Sequence, residues 1–144
     1  MNREMLFRGK HIHEMDSNEH LNGTWVHGYL SDKNYINDKS LEGEFMVDEN
    51  TICQYTGLTD KNGKKIFEGD IVRYGEICGE VKFGLHESNW QICKYNQGFY
   101  IEFPEEDLYR KELGYYENKV VVIGNIYDSP KLLEDEENKH GKDI

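Results

Sequence analysis

QYTGLTDKNGKKIFEGDIVRY, residues 54–74, places two turn signals between three short apolar stretches. Asp60-Lys61-Asn62-Gly63 is a turn sequence, because Asp accepts backbone N–H bonds and Asn or Gly adopts the left-handed conformation. Glu68-Gly69-Asp70 is a second turn sequence. The stretch therefore predicts a hairpin between residues 52–58 and 64–67, followed by a strand that begins at Ile71.

Period-two alternation between turn residues predicts further strands along the chain. These predicted strands cover residues 23–30, 34–38, 43–48, 79–84, 89–96, 98–104 and 118–128. A tight turn is expected at Gln97-Gly98, since glycine accepts positive φ without strain. The run NKVVVIGNIYD (118–128) is the most β-branched and apolar, so we expect a central strand covered on both faces.

Two short helices are also predicted. PEEDLYRKELGYY (104–116) has Pro104 at its start, acidic groups in its first turn and Gly114 near its end. A second helix begins at Ser129, with Leu132 and Leu133 placed to tuck under the domain. Many short strands and two minor helices predict a mainly β fold, either a barrel or another β-rich architecture. We expect one domain over residues 1–133 and an acidic, flexible tail over 134–144.

The net charge of the 144-residue chain is −11, and its distribution is uneven. Residues 1–59 carry 5 basic and 10 acidic groups, residues 60–82 carry 5 of each, and residues 83–144 carry 7 and 13. Duplex DNA binding draws most of its affinity from Lys and Arg at phosphates. Direct nucleic-acid binding is therefore not expected.

Apolar segments and cysteines indicate where the protein resides. No stretch approaches the roughly 20 consecutive apolar residues that a membrane span needs, and the N-terminus lacks the apolar core of a signal peptide. Cys53, Cys78 and Cys93 are odd in number and unclustered, which is typical of reduced thiols. A cytoplasmic protein with no membrane contact is expected.

The sequence lacks the motifs of common phosphate and calcium sites. Aligning Gly63 with the glycine of a calcium loop places Leu58 and Gly69 at ligand positions, and neither binds calcium through its side chain. Neither glycine-rich phosphate-binding motif is present. A Glu68–Asp70 pair at a turn is more typical of backbone capping than of acid–base catalysis.

Histidines and cysteines offer two weaker chemical hypotheses. His11 and His13 would lie on one face of a strand, with His20 nearby, as in some zinc sites. The alternative for both residues is surface histidine in a polar loop. Cys78 and His86 are a possible nucleophile and base, although a small buried cysteine is the commoner role. No catalytic, cofactor-binding or metal-binding residue is assigned, and no cofactor is expected.

Four segments stand out along the chain: REMLFRGK (3–10), GTWVHGYL (23–30), ICQYTGLTDKNGKKIFEGDIV (52–72) and VVIGNIYDSPKLLE (121–134). Together they resemble the YopX-like proteins of phages and prophages. The third segment is the most specific. One departure is Cys53, where glycine is expected before Gln54, and it weakens the case that this position needs special backbone angles.

The resemblance implies a small β-rich pseudo-barrel with SH3-like elements, capped by one or two short α-helices. It transfers no catalytic residue, because the family has none defined and its members are accessory proteins of unestablished activity. The residues that carry the motif are expected to form its turns and strands. They are Gln54, Tyr55, Thr56, Gly57, Asp60, Asn62, Gly63, Gly69 and Asp70.

Three functional hypotheses follow. The favoured one is a non-enzymatic binding or assembly module in the bacterial cytoplasm, which self-associates or binds a host or phage protein. The second is an acidic mimic of nucleic acid that inhibits a host DNA-binding protein, suggested by the net charge of −11. The third is a cryptic metal-dependent hydrolase or nuclease that uses His11, His13 and nearby carboxylates.

Overall fold

The structure is a computed structural model that describes residues 6–12, 23–88, 94–104 and 111–133. These residues form mainly β-strands, which confirms the predicted fold class. The strands are β1 (Phe7–Lys10), β2 (Trp25–Asp32), β3 (Tyr35–Asp38), β4 (Gly43–Met46), β5 (Cys53–Thr59), β6 (Lys65–Phe67), β7 (Asp70–Tyr74), β8 (Ile77–Ser88), β9 (Lys94–Glu102) and β10 (Val121–Asn125). Short 3₁₀ helices span Glu49–Thr51 and Leu113–Tyr116. None of the described helices is long and apolar enough to cross a membrane.

The chain divides into two compact units, Met1–Tyr55 and Thr56–Ile144, and β5 runs from one into the next. In the first unit the strand order is β4-β3-β2-β1-β5, and each neighbouring pair in this order is antiparallel. A single bridge between His11 and Val47 also joins the end of β1 to the end of β4. The sheet therefore curls towards a barrel without a full closing ladder. The single domain predicted over residues 1–133 stays a prediction.

The core of the first unit is small and lies inside this curl. Val26, Ile36 and Val47 have no exposed surface, and Phe7, Phe45 and Ile52 pack against them. Gly9 faces Val47 so closely that an added Cβ would lie 3.0 Å from the valine Cβ. Absence of a side chain at residue 9 is thus what lets β1 approach Val47, the residue that follows β4.

The second unit contains β6, which pairs with β5, and a four-stranded antiparallel sheet of order β10-β7-β8-β9. Its core cluster is larger and richer in aromatic rings. The buried members are Ile66, Val72, Val81, Ile101, Phe103, Leu113, Tyr116 and Val120. The Tyr116 ring contacts those of Tyr74, Phe103 and Tyr115 edge-on.

The hairpin predicted at residues 52–58 and 64–67 is present as β5 and β6, and β7 follows the second turn as expected. The prediction of a central strand at 118–128 is wrong. Among the strands that the structure describes, β10 lies at the edge of its sheet and pairs with β7, and all five of its residues are half-buried. β7 and β8 are the inner strands of this sheet, and Ile71 and Val72 of β7 are fully buried.

The predicted turn at Gln97-Gly98 is also wrong, because β9 runs through both residues without interruption. Gly98 pairs with Gly84 inside the β8–β9 ladder. Of the helix predicted at 104–116, residues 105–110 lie outside the described residues, and 113–116 form a 3₁₀ helix rather than an α-helix. The reason is that Lys111 and Glu112 act as strand partners of Ile101 and Tyr100.

The helix predicted from Ser129 is present in the described residues as one short turn at 131–133. Leu132 packs over Gly124 of β10, where a Cβ would lie 2.9 Å from the leucine Cδ1. Leu132 therefore packs against β10, and Leu133 beside it is half-buried.

Candidate functional site

The Asp60 carboxylate organises the central turn. Its Oδ1 accepts the backbone N–H groups of Asn62 (2.8 Å) and Lys64 (2.9 Å), and the Gly63 N–H donates to the Asp60 carbonyl (3.0 Å). Gly63 has φ 82°, the left-handed conformation that the turn needs. Asn62 is exposed and contributes its backbone N–H to this network. These contacts give three of the motif residues a structural role.

The other carboxylate oxygen of Asp60 reaches a distant strand. Oδ2 accepts the backbone N–H of Val122 at 3.0 Å, on the edge of β10 that faces away from β7. The Lys61 N–H donates to the Val120 carbonyl beside it, at 2.8 Å. A side chain only 1% exposed therefore ties the hairpin turn to the last strand.

The remaining motif residues of the second unit also have backbone roles. The Thr56 hydroxyl donates to the Ile66 carbonyl (2.7 Å), and Gly57 after it has φ 87°. Gly69 has φ 87°, and its N–H donates to the Val81 carbonyl (2.8 Å). The buried Asp70 carboxylate accepts the Phe67 N–H (2.8 Å), which gives it a structural role in the second turn.

Gln54 and Tyr55 are strand residues of the first unit. Gln54 pairs with Phe7 of β1, and the Tyr55 N–H donates to the Leu6 carbonyl at 2.8 Å. Cys53 is a buried strand residue outside the positive-φ region, so this position does not require glycine. Cys53 and Cys78 are both buried, and Cys93 lies outside the described residues.

Asp38 in the first unit resembles Asp60 in the second, because one carboxylate oxygen accepts from a nearby turn and the other accepts from a separate strand. Its Oδ1 accepts the backbone N–H (2.9 Å) and the hydroxyl (2.6 Å) of Ser40, while Oδ2 accepts the His27 N–H of β2 (2.9 Å). Burial raises the pKa of Asp38, but the hydrogen bonds together outweigh burial and hold the pKa below 3.8, its ordinary value. For Asp60, burial again raises the pKa, and the backbone donors with the Lys64 charge bring it below 3.8.

These lowered pKa values predict acid sensitivity. A carboxylate whose pKa falls on folding stabilises the protein above pH 3.8, and that contribution is lost as pH drops through the folded-state pKa. We expect the difference in unfolding free energy between wild type and Asp60→Asn to shrink as pH is lowered from 7 to 3. Urea titrations at pH 7, 5, 4 and 3 measure it. A difference that stays constant across this range would contradict the ionised role of Asp60.

The histidine and cysteine hypotheses find no assembled site among the described residues. His11 is buried, its Nδ1 lies 2.9 Å from the Met46 carbonyl and its ring packs edge-on against Phe45. His13 and His20 lie outside the described residues. The described ranges hold no group of three His, Cys, Asp or Glu placed to bind a metal ion. His11 is therefore a core residue rather than the surface residue of the alternative.

Cys78 and His86 do not come together. Both lie on β8, eight residues apart, which separates them by about 26 Å along an extended strand. His86 is buried, stacks on Tyr100 with ring centroids 4.8 Å apart, and has its Nδ1 3.2 Å from the Gly84 carbonyl. A direct transfer of a proton between these two side chains is excluded by this distance.

A charged row crosses the face of β8 and β9 that also carries Tyr100. Lys82 Nζ lies 2.6 Å from Glu102 Oε2, and this hydrogen bond raises the pKa of Lys82. Burial raises the pKa of Glu80, Lys82 opposes the rise, and the charges of Glu102 and Glu68 add to it. These charged side chains therefore interact across neighbouring strands, and an ion pair of this kind is a common cross-strand contact.

The opposite face of β8 and β9 carries an apolar strip that begins in the core and extends beyond it into solvent. Val81 and Ile101 are fully buried and directly paired. Two residues further along β8, Phe83 is 51% exposed, and after two more, Leu85 is 66% exposed. Phe99 pairs with Phe83, and their rings meet edge-on at 4.9 Å. We call residues 83–88 and 94–99 the distal arm.

The distal arm is the functional candidate that the sequence prediction missed. The apolar residues at 81, 83 and 85 alternate as a strand signal should, but the sequence predicts a strand over 79–84 only, because glycine also marks turns. In the structure, Gly84 and Gly98 lie opposite each other within the ladder. An exposed apolar strip that continues a core face is typical of protein–protein contact surfaces.

Comparison with known proteins identifies a family over most of the chain. A family model described as YopX protein matches residues 6–134. A search of curated proteins finds no match. The match spans all four segments that carry the resemblance, apart from residues 3–5 at the start.

Proposed function

Since this chain belongs to the YopX protein family over residues 6–134, we propose that it is a non-enzymatic binding or assembly module. The distal arm is its contact surface, and its partner is a protein with a complementary apolar patch. We also propose that it is an accessory protein of phage or prophage origin that acts in the bacterial cytoplasm, as expected from the sequence. Family membership supports an accessory role, and the arm supplies the surface for it.

The exposure of Phe83 and Leu85 is the observation that carries the proposal. Both side chains lie on the face that buries Val81 completely, so the sheet offers water an apolar strip that its own core does not cover. Leaving such side chains in water forfeits roughly 25 cal/mol for each Å² of apolar surface that a partner would bury. A binding partner would recover this free energy.

Site-specific photo-crosslinking in living bacteria tests the proposal. A benzophenone side chain placed at Phe83 is expected to give one discrete, light-dependent adduct, because a bound partner lies within reach. The same group at Tyr29, which is 52% exposed in the first unit, is the matched control and should give none. The adduct at position 83 must also disappear when Leu85→Asp is added. Adducts that are absent, or equal at both positions, would remove the arm from the function.

A further inference from the structure

We infer that Asn62 is a covalent modification site, where the side-chain amide deamidates spontaneously at a rate that the Asp60 turn controls. Asparagine followed by glycine is especially prone to this reaction, because glycine has no side chain to hinder its backbone nitrogen. The chain contains two such pairs, Asn22-Gly23 and Asn62-Gly63. Asn22 lies outside the described residues, whereas the structure describes Asn62 and the whole turn around it.

The side chain of Asn62 is available for reaction. It is exposed, and within the described residues its amide forms no hydrogen bond. Its backbone N–H, by contrast, donates to Asp60 Oδ1. The next residue is also open, because a Cβ built on Gly63 would meet no atom within 4 Å outside its chain neighbours. Both reacting groups are therefore accessible to water, which the reaction consumes.

Deamidation forms and then opens a five-membered imide ring. The Gly63 backbone nitrogen, after losing its proton to hydroxide, attacks Asn62 Cγ; a C–N bond forms, and the amide nitrogen takes a proton from water and leaves as ammonia. Water then opens the ring at either carbonyl. Cleavage of the new Cγ–N bond gives aspartate, and cleavage of the original peptide C–N bond gives isoaspartate. One water is consumed and one ammonia is released.

The folded turn holds the two reacting atoms apart. The Gly63 N–H donates to the Asp60 carbonyl at 3.0 Å, and neither Lys61 nor Asn62 has a positive φ. These features identify a type I turn, in which ψ of the third residue, Asn62, is about 0°. The Gly63 nitrogen then eclipses the Asn62 nitrogen, whereas ring closure needs it to eclipse Cβ, about 120° away around the Cα–C bond. Ring closure therefore requires ψ of Asn62 to rotate, which breaks the Gly63 hydrogen bond.

The Asp60 carboxylate opposes this rotation. Its Oδ1 accepts the Asn62 N–H at 2.8 Å and the Lys64 N–H at 2.9 Å, on either side of the peptide group that must turn. The carboxylate is buried, and its other oxygen accepts the Val122 N–H. Opening the turn breaks the Gly63 hydrogen bond and weakens those to Oδ1. We therefore expect deamidation to be roughly 10- to 100-fold slower in the folded chain than in the unfolded chain.

Conversion to isoaspartate should loosen the same turn. The main chain then gains a methylene between the residue-62 Cα and the Gly63 nitrogen, which moves the Lys64 N–H away from Asp60 Oδ1. The reaction also creates a new carboxylate close to Asp60, and the two charges repel each other. We expect the Val122 amide to exchange hydrogen faster in the isoaspartate form, separated by ion exchange, than in the unmodified chain.

Peptide mapping by mass spectrometry tests the site. The full chain is incubated at pH 8 and 37 °C, folded and in concentrated urea, and peptides that contain residue 62 are followed for a gain of one dalton as OH replaces NH₂. Each folded rate is divided by the rate of the same variant in urea, which removes the effect of neighbouring residues. Folded Asp60→Ala should react about fivefold faster than wild type or more, with Asp60→Asn between them. Asn62→Gln should show no gain at this position.

Val81→Ala is the matched control for stability. It removes fully buried volume from the core of the same unit, so it destabilises the chain while the hydrogen bonds of the turn remain. Its folded rate should stay within about twofold of wild type. Equal acceleration in Val81→Ala and Asp60→Ala, or none in Asp60→Ala, overturns control by the turn. A folded wild type that reacts as fast as in urea does the same. No gain at residue 62 in urea overturns the site itself.

Discussion

Gly28→Ala is expected to destabilise the protein by about 3 kcal/mol or more, because no space exists for a side chain at this position. Gly28 lies where β2 stops pairing with β1 and begins pairing with β3. A Cβ on Gly28 would overlap the Asn37 carbonyl oxygen and press on the carbonyl carbon, 2.8 Å away. Backbone atoms of a paired strand cannot yield as a flexible side chain does, so the β2–β3 ladder would have to separate.

Gly43→Ala is the matched control for this result. Gly43 begins β4 in the same sheet, has a φ outside the left-handed region, and an added Cβ would meet only the Phe45 ring at 3.7 Å. Alanine reduces the freedom of the unfolded chain, so Gly43→Ala should be neutral or stabilising by about 0.5 kcal/mol. Urea-unfolding midpoints at pH 7 measure both variants. Equal midpoints for the two variants would show that β2 and β3 can move apart without cost.

The part of the fold that the sequence predicts well is the part decided by local chemistry. The hairpin of β5 and β6 follows from Asp60 and Gly63, whose roles depend on residues within four positions of them. The mainly β character follows from alternation and turn residues in the same way. Short-range signals of this kind are complete within a window of the sequence, so no knowledge of the distant chain is needed.

The errors occur where a distant neighbour decides the outcome. The valine-rich run of β10 predicts a central strand, but the turn at Lys61 and Asp60 occupies the edge where a further strand would bind. Lys111 and Glu112 have helix-forming neighbours, yet they complete the edge of β9. For β10, the residues that decide its position lie tens of residues away. For Lys111 and Glu112, the pairing with β9 gives no sequence signal. Tertiary contacts override local propensity in both cases.

The same distinction applies to the candidate site. The motif residues could be located from the sequence, because their turns are local. The exposed strip of the distal arm could not, since alternation predicts that Phe83 and Leu85 share a face but not that the core ends at Val81. The second link of Asp60, to Val122, spans 62 positions and was likewise beyond a local prediction.

Asp60→Ala should cost about 3 kcal/mol of unfolding free energy, because the change strands three backbone N–H groups that the buried carboxylate now accepts. The donors are those of Asn62, Lys64 and Val122, at 2.8 to 3.0 Å. Water can reach the first two donors if the hairpin turn loosens. The Val122 N–H on β10 loses its link to the turn at the same time.

Asp60→Asn removes the charge of the side chain and keeps its shape. The amide keeps one acceptor oxygen but turns an NH₂ group towards backbone donors, so we expect a loss of about 2 kcal/mol, smaller than for alanine.

Asp32→Ala is the control, because Asp32 also accepts a backbone N–H, from Lys33 at 2.7 Å, but is exposed. Its loss should stay below about 0.5 kcal/mol. Hydrogen exchange at the Val122 amide gives a local readout: it should accelerate in both Asp60 variants and not in Asp32→Ala. If the Val122 amide stays as protected in Asp60→Ala as in wild type, Asp60 does not hold β10 in place.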